Sequence, residues 1–212
     1  MLGKLFGRGK TPAPSPALPV IGEAGLGRAV RIDPSMLGAV EDAVGEAIDP
    51  DLVITAHGIA ELPGPGASSW LHRFYDDDHR MLQALTGSAE GGEAEEWSFY
   101  VPHGADHPGV GEDEGALRAR LTKASFAHAG TPYARLWYEG DPSDQPPAEF
   151  TEVIYERADM SDGRPLAQAC MVYGRDAPRG EVLLLAILTG EGSSASLERM
   201  FGTGLRPHQI GV

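Results

Sequence analysis

The sequence predicts an α+β fold: predominantly antiparallel sheet, arranged as two meanders, with about three helices. Three observations carry that expectation. Stretches of alternating apolar and polar residues recur between turn signals. Their order reads helix, meander, helix, meander, helix, not the strict strand–helix alternation of a doubly wound sheet. Finally, 28 glycines and 17 prolines among 212 residues supply the turns that many short strands need.

The first helix is expected over residues 33–48. Asp33 is placed to cap it, Pro34 suits its first turn, and Met36, Leu37, Val40, Ala43, Val44, Ala47 and Ile48 fall on one face. Asp49-Pro50 stops it, because a residue before proline resists the helical region. A strand is expected over 52–60 and a firm break at Pro63-Gly64-Pro65-Gly66. Residues 70–75 alternate, with Trp70, His72 and Phe74 on one face and Leu71, Arg73 and Tyr75 on the other. Asp76-Asp77-Asp78 turns that strand into a partner over 79–85, and 97–101 completes the first meander.

Residues 103–115 read as loop and 116–128 as a second helix, stopped by Gly130-Thr131-Pro132. The segment 133–138 is aromatic and strand-like. The second meander is built from 150–157, 166–173 and 181–188, with Asp162-Gly163 as a hairpin signal. Because 182–188 is apolar on both faces, it belongs in the middle of the sheet. Ser194 or Ser196 is placed to cap a short last helix through Met200, closed by Gly202, and the tail over 205–212 should be extended.

Charge divides the chain unevenly. Residues 1–10 hold Lys4, Arg8 and Lys10 and no acid, whereas the whole holds 17 Lys+Arg against 31 Asp+Glu, a net charge of −14. Residues 11–19 contain four prolines, a composition that favours an extended tether. The organisation expected is a flexible leader and linker over 1–20, then one α+β domain over 21–212 with room for two sub-lobes meeting near 110–130. Leu2, Leu5 and Phe6, interleaved with Lys4, Arg8 and Lys10, suit peripheral contact with an anionic membrane or a groove on a partner protein. The acidic remainder argues against nucleic acid as a partner. No apolar run approaches the roughly 20 residues that span a bilayer, and the leader lacks the apolar core of a secretory signal. The expected location is the cytoplasm, peripheral to the inner membrane if the leader engages it.

Few residues suggest chemistry. His103, Asp106 and His107 place three potential metal ligands within five residues, but flanking prolines work against one helical face and no fourth ligand is evident. Solvated loop residues are the simpler account. The three consecutive aspartates at 76–78 lack a calcium-loop pattern, and Glu112-Asp113-Glu114 suits a helix start. Cys170, the only cysteine, sits in apolar sequence with no base nearby, as a packed thiol does. Arg73 and Arg135 interrupt aromatic strand sequence. A buried arginine needs an acidic partner, and Glu152 or Glu156 can supply it. With Trp70 and Tyr75, these arginines are the candidate ligand or partner contacts. Trp70, Phe74, Tyr75, Trp97, Phe99, Tyr100, Tyr133, Trp137 and Tyr138 offer either core or the wall of a pocket. No phosphate loop, dinucleotide fingerprint or nucleophile elbow is present, and no cofactor is implied.

The segment Trp70-Leu71-His72-Arg73-Phe74-Tyr75 resembles the aromatic–Arg–aromatic hairpin of the YjfK-like family. Met171-Val172-Tyr173-Gly174-Arg175 followed by 181–188, Met200-Phe201-Gly202, the ending Ile210-Gly211-Val212 and the opening Leu5-Phe6-Gly7 are similar to that family in the same order. The resemblance covers nearly the whole chain; residues 102–115 depart from it. It implies an uncharacterised bacterial protein, and it transfers a fold expectation but no catalytic residues. The family's genes often lie near ones resembling phage-shock-type membrane-remodelling proteins, small membrane proteins and ATP-grasp ligases. By association, the resemblance implies an accessory or adaptor protein, non-enzymatic, in a membrane-stress or envelope-maintenance system. The alternative is an enzyme or small-molecule binder with an aromatic pocket and an Arg/carboxylate pair.

Overall fold

A computed structural model describes residues 17–62, 68–109, 113–138 and 140–212. The leader residues Leu2, Lys4, Leu5, Phe6, Arg8 and Lys10, most of the proline tether and the Pro63–Gly66 break lie outside them.

The described residues form 13 strands and two α-helices in the order β1 (Ala29–Ile32), α1 (Gly38–Val44), β2 (Asp51–Val53), β3 (Ala56–Leu62), β4 (Ser69–Tyr75), β5 (Met81–Thr86), β6 (Glu96–Asp106), α2 (Glu114–Leu121), β7 (Ser125–His128), β8 (Thr131–Arg135), β9 (Ala148–Tyr155), β10 (Arg164–Ala177), β11 (Gly180–Thr189), β12 (Ser196–Leu205) and β13 (Ile210–Gly211). All ladders are antiparallel. The runs β3-β4-β5-β6 and β9-β10-β11-β12 are each locally paired. They also join edge to edge twice, β12 to β6 and β3 to β9, so that eight strands close into a barrel. The α+β expectation is therefore overturned: the chain is mostly β. Closure removes the open edges that two separate meanders would expose.

The third helix does not form. Residues 196–205 are β12, paired with β11 on one side and β6 on the other. A bulge between Glu198 and Met200 shifts the β12 register, so that Leu197 and Phe201 join the outward cluster and Met200 the inward one. The second helix is shorter than expected. α2 stops at Leu121, and residues 125–135 form the β7–β8 hairpin, turned by Ala129 (φ 48°) and Gly130 (φ 77°), the backbone of a two-residue hairpin turn. Gly130-Thr131-Pro132 is the tip of that hairpin, not a helix stop. The expected loop after residue 102 is partly strand, since β6 runs on through His103 to Asp106. The first helix splits into a 3-10 turn over Pro34–Met36, capped by Asp33 Oδ1 accepting from Ser35 N (2.9 Å), and α1, ended by Gly45 at φ 82°. The strand expected over 52–60 is likewise two, β2 and β3.

Alternation sorts the barrel side chains onto two faces. The outward face carries Phe74, Leu82, Phe99, Met171, Tyr173, Leu184 and Phe201, which share one buried cluster with Val30, Ile32, Leu37, Val40, Leu52 and Ile210 from the β13-β1-β2 sheet and α1, and with Leu117, Leu121 and Phe126. The inward face carries Ala60, Leu71, Met81, Tyr100, Phe150, Cys170, Val172, Leu183, Leu185, Ile187 and Met200. β11 is buried on both faces from Val182 to Leu188, as its unbroken apolar run requires.

Candidate functional site: the barrel interior and its open mouth

Two successive inward positions of β4, Arg73 and Tyr75, are polar, and they set the character of the barrel centre. Arg73 is 2% exposed and its NH1 donates to Glu152 Oε2 at 2.9 Å, with Glu152 fully buried. NH1 also donates to Gln168 Oε1 (2.7 Å) and Nε to Gln83 Oε1 (2.9 Å). Glu152 accepts further from the Tyr75 hydroxyl (2.8 Å) and Gln168 Nε2 (2.7 Å). The buried pair is thus held by a hydrogen-bond network inside the barrel, the setting in which such a pair is tolerated. Burial alone disfavours the Arg73 cation, but Glu152 beside it outweighs that and raises its pKa. Burial, then the Glu152 charge, pushes the Tyr75 hydroxyl well above its ordinary value. Cys170 lies against the same network, its Sγ 3.6 Å from Gln168 Oε1, and burial pushes the thiol up to about 11.

Gly58 on β3 makes room for this arrangement. A Cβ there would stand 1.6 Å from Glu152 Oε1, so the requirement is for space, not for an unusual backbone angle.

The polar centre is the floor of a cavity of about 950 Å³ at one end of the barrel. Every barrel strand, or the turn joined to it, reaches this mouth. Its walls are aliphatic, formed by Ile154, Leu166, Ile187 and Met200, and Tyr75 and Gln168 reach it from the floor. The rim carries Asp76, Asp77, Glu156, Glu198, Arg164, Arg199 and His79. Most of those charges are matched: Arg164 bonds Glu156, Asp76 holds Arg80 at 2.6 Å, and Arg199 donates to Asp106 at 3.0 Å. Asp77 and Glu198 are exposed and form no ion pair among the described residues.

The candidate residues separate. Tyr75 lines the cavity and Arg73 lies beneath it. Trp70 is on the outward face of β4. Arg135 is remote in role: Nε, NH1 and NH2 donate to the carbonyls of Trp137 (3.0 Å), Thr122 (2.9 Å), Asp141 (2.7 Å) and Ser143 (3.1 Å), so it pins the crossing from β8 to β9 without a carboxylate. Of the aromatic set, all but Trp70 and Tyr138 pack in or against the two buried clusters, and only Tyr75 among them reaches the cavity. His103, Asp106 and His107 do not converge: His103 packs edge-on against His128 and Phe201, Asp106 binds Arg120 and Arg199, and His107 Nδ1 lies 3.3 Å from Ala195 O. Among the described residues no group of three or more His, Cys, Asp or Glu side chains is placed to hold a metal ion. Of the three aspartates at 76–78, Asp76 is spent on its own turn, accepting from Asp78 N and Arg80 N.

Sequence reasoning missed Gln168, Ile187 and Met200 as cavity residues. The available signal was Gln168, a polar residue on the otherwise apolar inward row with Cys170 and Val172. It also missed a buried histidine pair on the outward face, His57 Nε2 and His72 Nδ1 at 3.1 Å, with His72 Nε2 3.1 Å from Ser88 O. A carbonyl can only accept, so His72 carries its proton on Nε2 and His57 donates to His72. His57 Nδ1 is then left buried without a partner. Burial, then His72, lowers His57 to about 3, and burial lowers His72 as well.

A model of one protein family matches residues 1–211, nearly the entire sequence. The chain belongs to DUF2491, a family described as protein of unknown function. No curated protein and no solved structure matches the chain. The barrel and its mouth therefore have to be read on their own chemistry in this DUF2491 protein. Among its described residues no helix is long and apolar enough to cross a membrane.

Proposed function

We propose that this chain is a non-enzymatic accessory protein that works by binding, with the barrel mouth as its ligand site. The observation that carries the reading is the pairing of an open, aliphatic cavity of about 950 Å³ with a floor whose charged groups are already satisfied by one another. That volume lies within the usual range for small-molecule sites, and barrel mouths are a recurrent location for them. A reaction site needs a group held ready for the substrate. Here Arg73 and Glu152 neutralise each other, Arg135 is committed to backbone carbonyls, and Cys170 stays a protonated thiol.

The wider setting we propose is the one the YjfK-like resemblance implies: a bacterial membrane-stress or envelope-maintenance system, with a protein partner. The leader, with Lys4, Arg8 and Lys10 among Leu2, Leu5 and Phe6, would contact an anionic membrane from the cytoplasmic side.

Two experiments test these parts separately. Full-length protein purified natively is extracted and its small molecules are compared with those from Leu166→Trp, which fills the mouth. A compound retained by the wild type and missing from the variant is expected; identical extracts would contradict a binding role for the cavity. For the membrane contact, flotation with anionic vesicles should recover the full chain and lose the form lacking residues 1–10, and equal recovery would refute it.

A further inference from the structure

We propose that the mouth of the barrel takes an amphipathic cation: an aliphatic body inside the cavity and an ammonium or guanidinium head at the rim. This rests on the binding role proposed above and adds the chemical class of the ligand.

The apolar part follows from the walls. Ile154, Leu166, Ile187 and Met200 face the space, and Leu166 is left 36% exposed. A large aliphatic side chain standing open beside buried ones is surface that a ligand can remove from water. Among the described residues the only rings that line the cavity are Tyr75 at the floor and His79 at the rim, so no facing pair of rings is set to stack a planar group, whereas the aliphatic walls suit a flexible aliphatic chain.

The charge follows from what remains after the internal pairs are struck out. Beneath the floor Arg73 and Glu152 cancel. On the rim Arg164 cancels Glu156 and Arg80 cancels Asp76, whereas Arg199 and Arg120 share the single carboxylate of Asp106, which leaves one arginine charge over and Arg199 Nε buried without a partner. Among the described residues Asp77 and Glu198 form no ion pair, and their two charges exceed the one arginine charge left over at Asp106, so the rim keeps a negative excess. An anionic head would meet an excess of like charge there and a cationic head would offset it. The floor agrees with this sign. The Tyr75 hydroxyl spends its proton on Glu152 Oε1 (2.8 Å), so toward the cavity it offers lone pairs, which suit a donor and not an anion.

The test is calorimetric titration of the full chain with three decyl amphiphiles below their micelle concentrations: a trimethylammonium, a sulfate and an uncharged maltoside. Saturable one-to-one binding of the cation is expected, weakening with salt, with the sulfate weakest. The Asp77→Asn/Glu198→Gln double variant should lose roughly three- to tenfold in affinity for the cation, the range two exposed carboxylates supply. A control removing two exposed acids at the opposite end of the barrel, Glu93→Gln/Glu95→Gln, should lose little. Equal affinity for all three amphiphiles, or equal losses in the two double variants, would overturn the cationic preference while leaving the mouth a binding site. If none of the three binds, the cationic ligand is overturned, while the binding role of the cavity stands or falls with the extracts of wild type and Leu166→Trp. Leu166→Trp, a change at a half-open wall that leaves the buried floor untouched, should abolish binding; unchanged binding in that variant would also overturn the proposal.

Discussion

Arg73 and Glu152 meet inside the barrel, NH1 to Oε2 at 2.9 Å, 79 residues apart in sequence and both withdrawn from water. They come from β4 and β9, one strand in each meander, and bridge the seam at β3 that helps close the barrel. The pair neutralises the polar floor on which the mouth is built.

Removing one member should therefore cost more than removing both. Arg73→Met strands a buried carboxylate and Glu152→Gln strands a buried guanidinium, each expected to lose about 3–5 kcal/mol. The double variant should lose clearly less than the sum, because it leaves no uncompensated charge. Urea unfolding of the four proteins, read as a double-mutant cycle, checks this; additive losses would mean that the two charges do not interact.

Gly58→Ala should destabilise by about 1–3 kcal/mol through overpacking alone, since the added methyl would overlap Glu152 Oε1. The same substitution in the Glu152→Ala background should cost much less. A loss that persists there would place the strain in the backbone instead.

The fold was legible as local pieces and illegible as a whole. The alternation at 70–75 and the double-sided apolar run at 182–188 mark strands because neighbouring residues determine which face is buried. Closure depends on β12 meeting β6 and β3 meeting β9, pairings between distant segments that leave no local pattern. Near 194–202 the serines and Gly202 read as helix cap and helix end where the chain forms β12, and at 129–130 an Ala-Gly turn lacked the Asn-Gly or Asp-Gly signature of a hairpin. For the site, the need of a buried arginine for an acid was legible, with Glu152 or Glu156 open to either arginine; only the fold pairs Arg73 with Glu152. Arg135 could not be placed, because backbone carbonyls that satisfy an arginine are invisible in side-chain chemistry. The cavity walls are ordinary aliphatic residues, distinguished only by the barrel end they share.

Stability should fall in acid through the histidine pair. His57 and His72 are buried neutral, with folded pKa values below the unfolded 6.5, that of His57 at about 3. The unfolded chain therefore binds more protons below that value. The stabilising contribution is complete above about pH 6.5 and is lost as pH drops toward 3, at up to about 1.4 kcal/mol per pH unit for His57. Unfolding free energies measured from pH 7 to 4 should decline less steeply for His57→Phe than for the wild type, and parallel slopes would contradict the assignment.

Cys170 should be unreactive in the native state. It is fully buried and its thiol is raised to about 11, so little thiolate exists at pH 8. Labelling by a disulfide reagent should require unfolding and be slowed by stabilising conditions. Rapid stoichiometric labelling of the folded protein would show that the barrel centre is open to solvent.

The claim on which the account turns is that the open end of the barrel is where this protein meets its ligand. Methyl-detected NMR of the full chain, titrated with the decyl trimethylammonium, reads it directly. Shifts concentrated on Ile154, Leu166, Ile187 and Met200 are predicted. Shifts confined to apolar residues exposed elsewhere, such as Val53 and Leu136, or no shifts up to the micelle threshold, would contradict it.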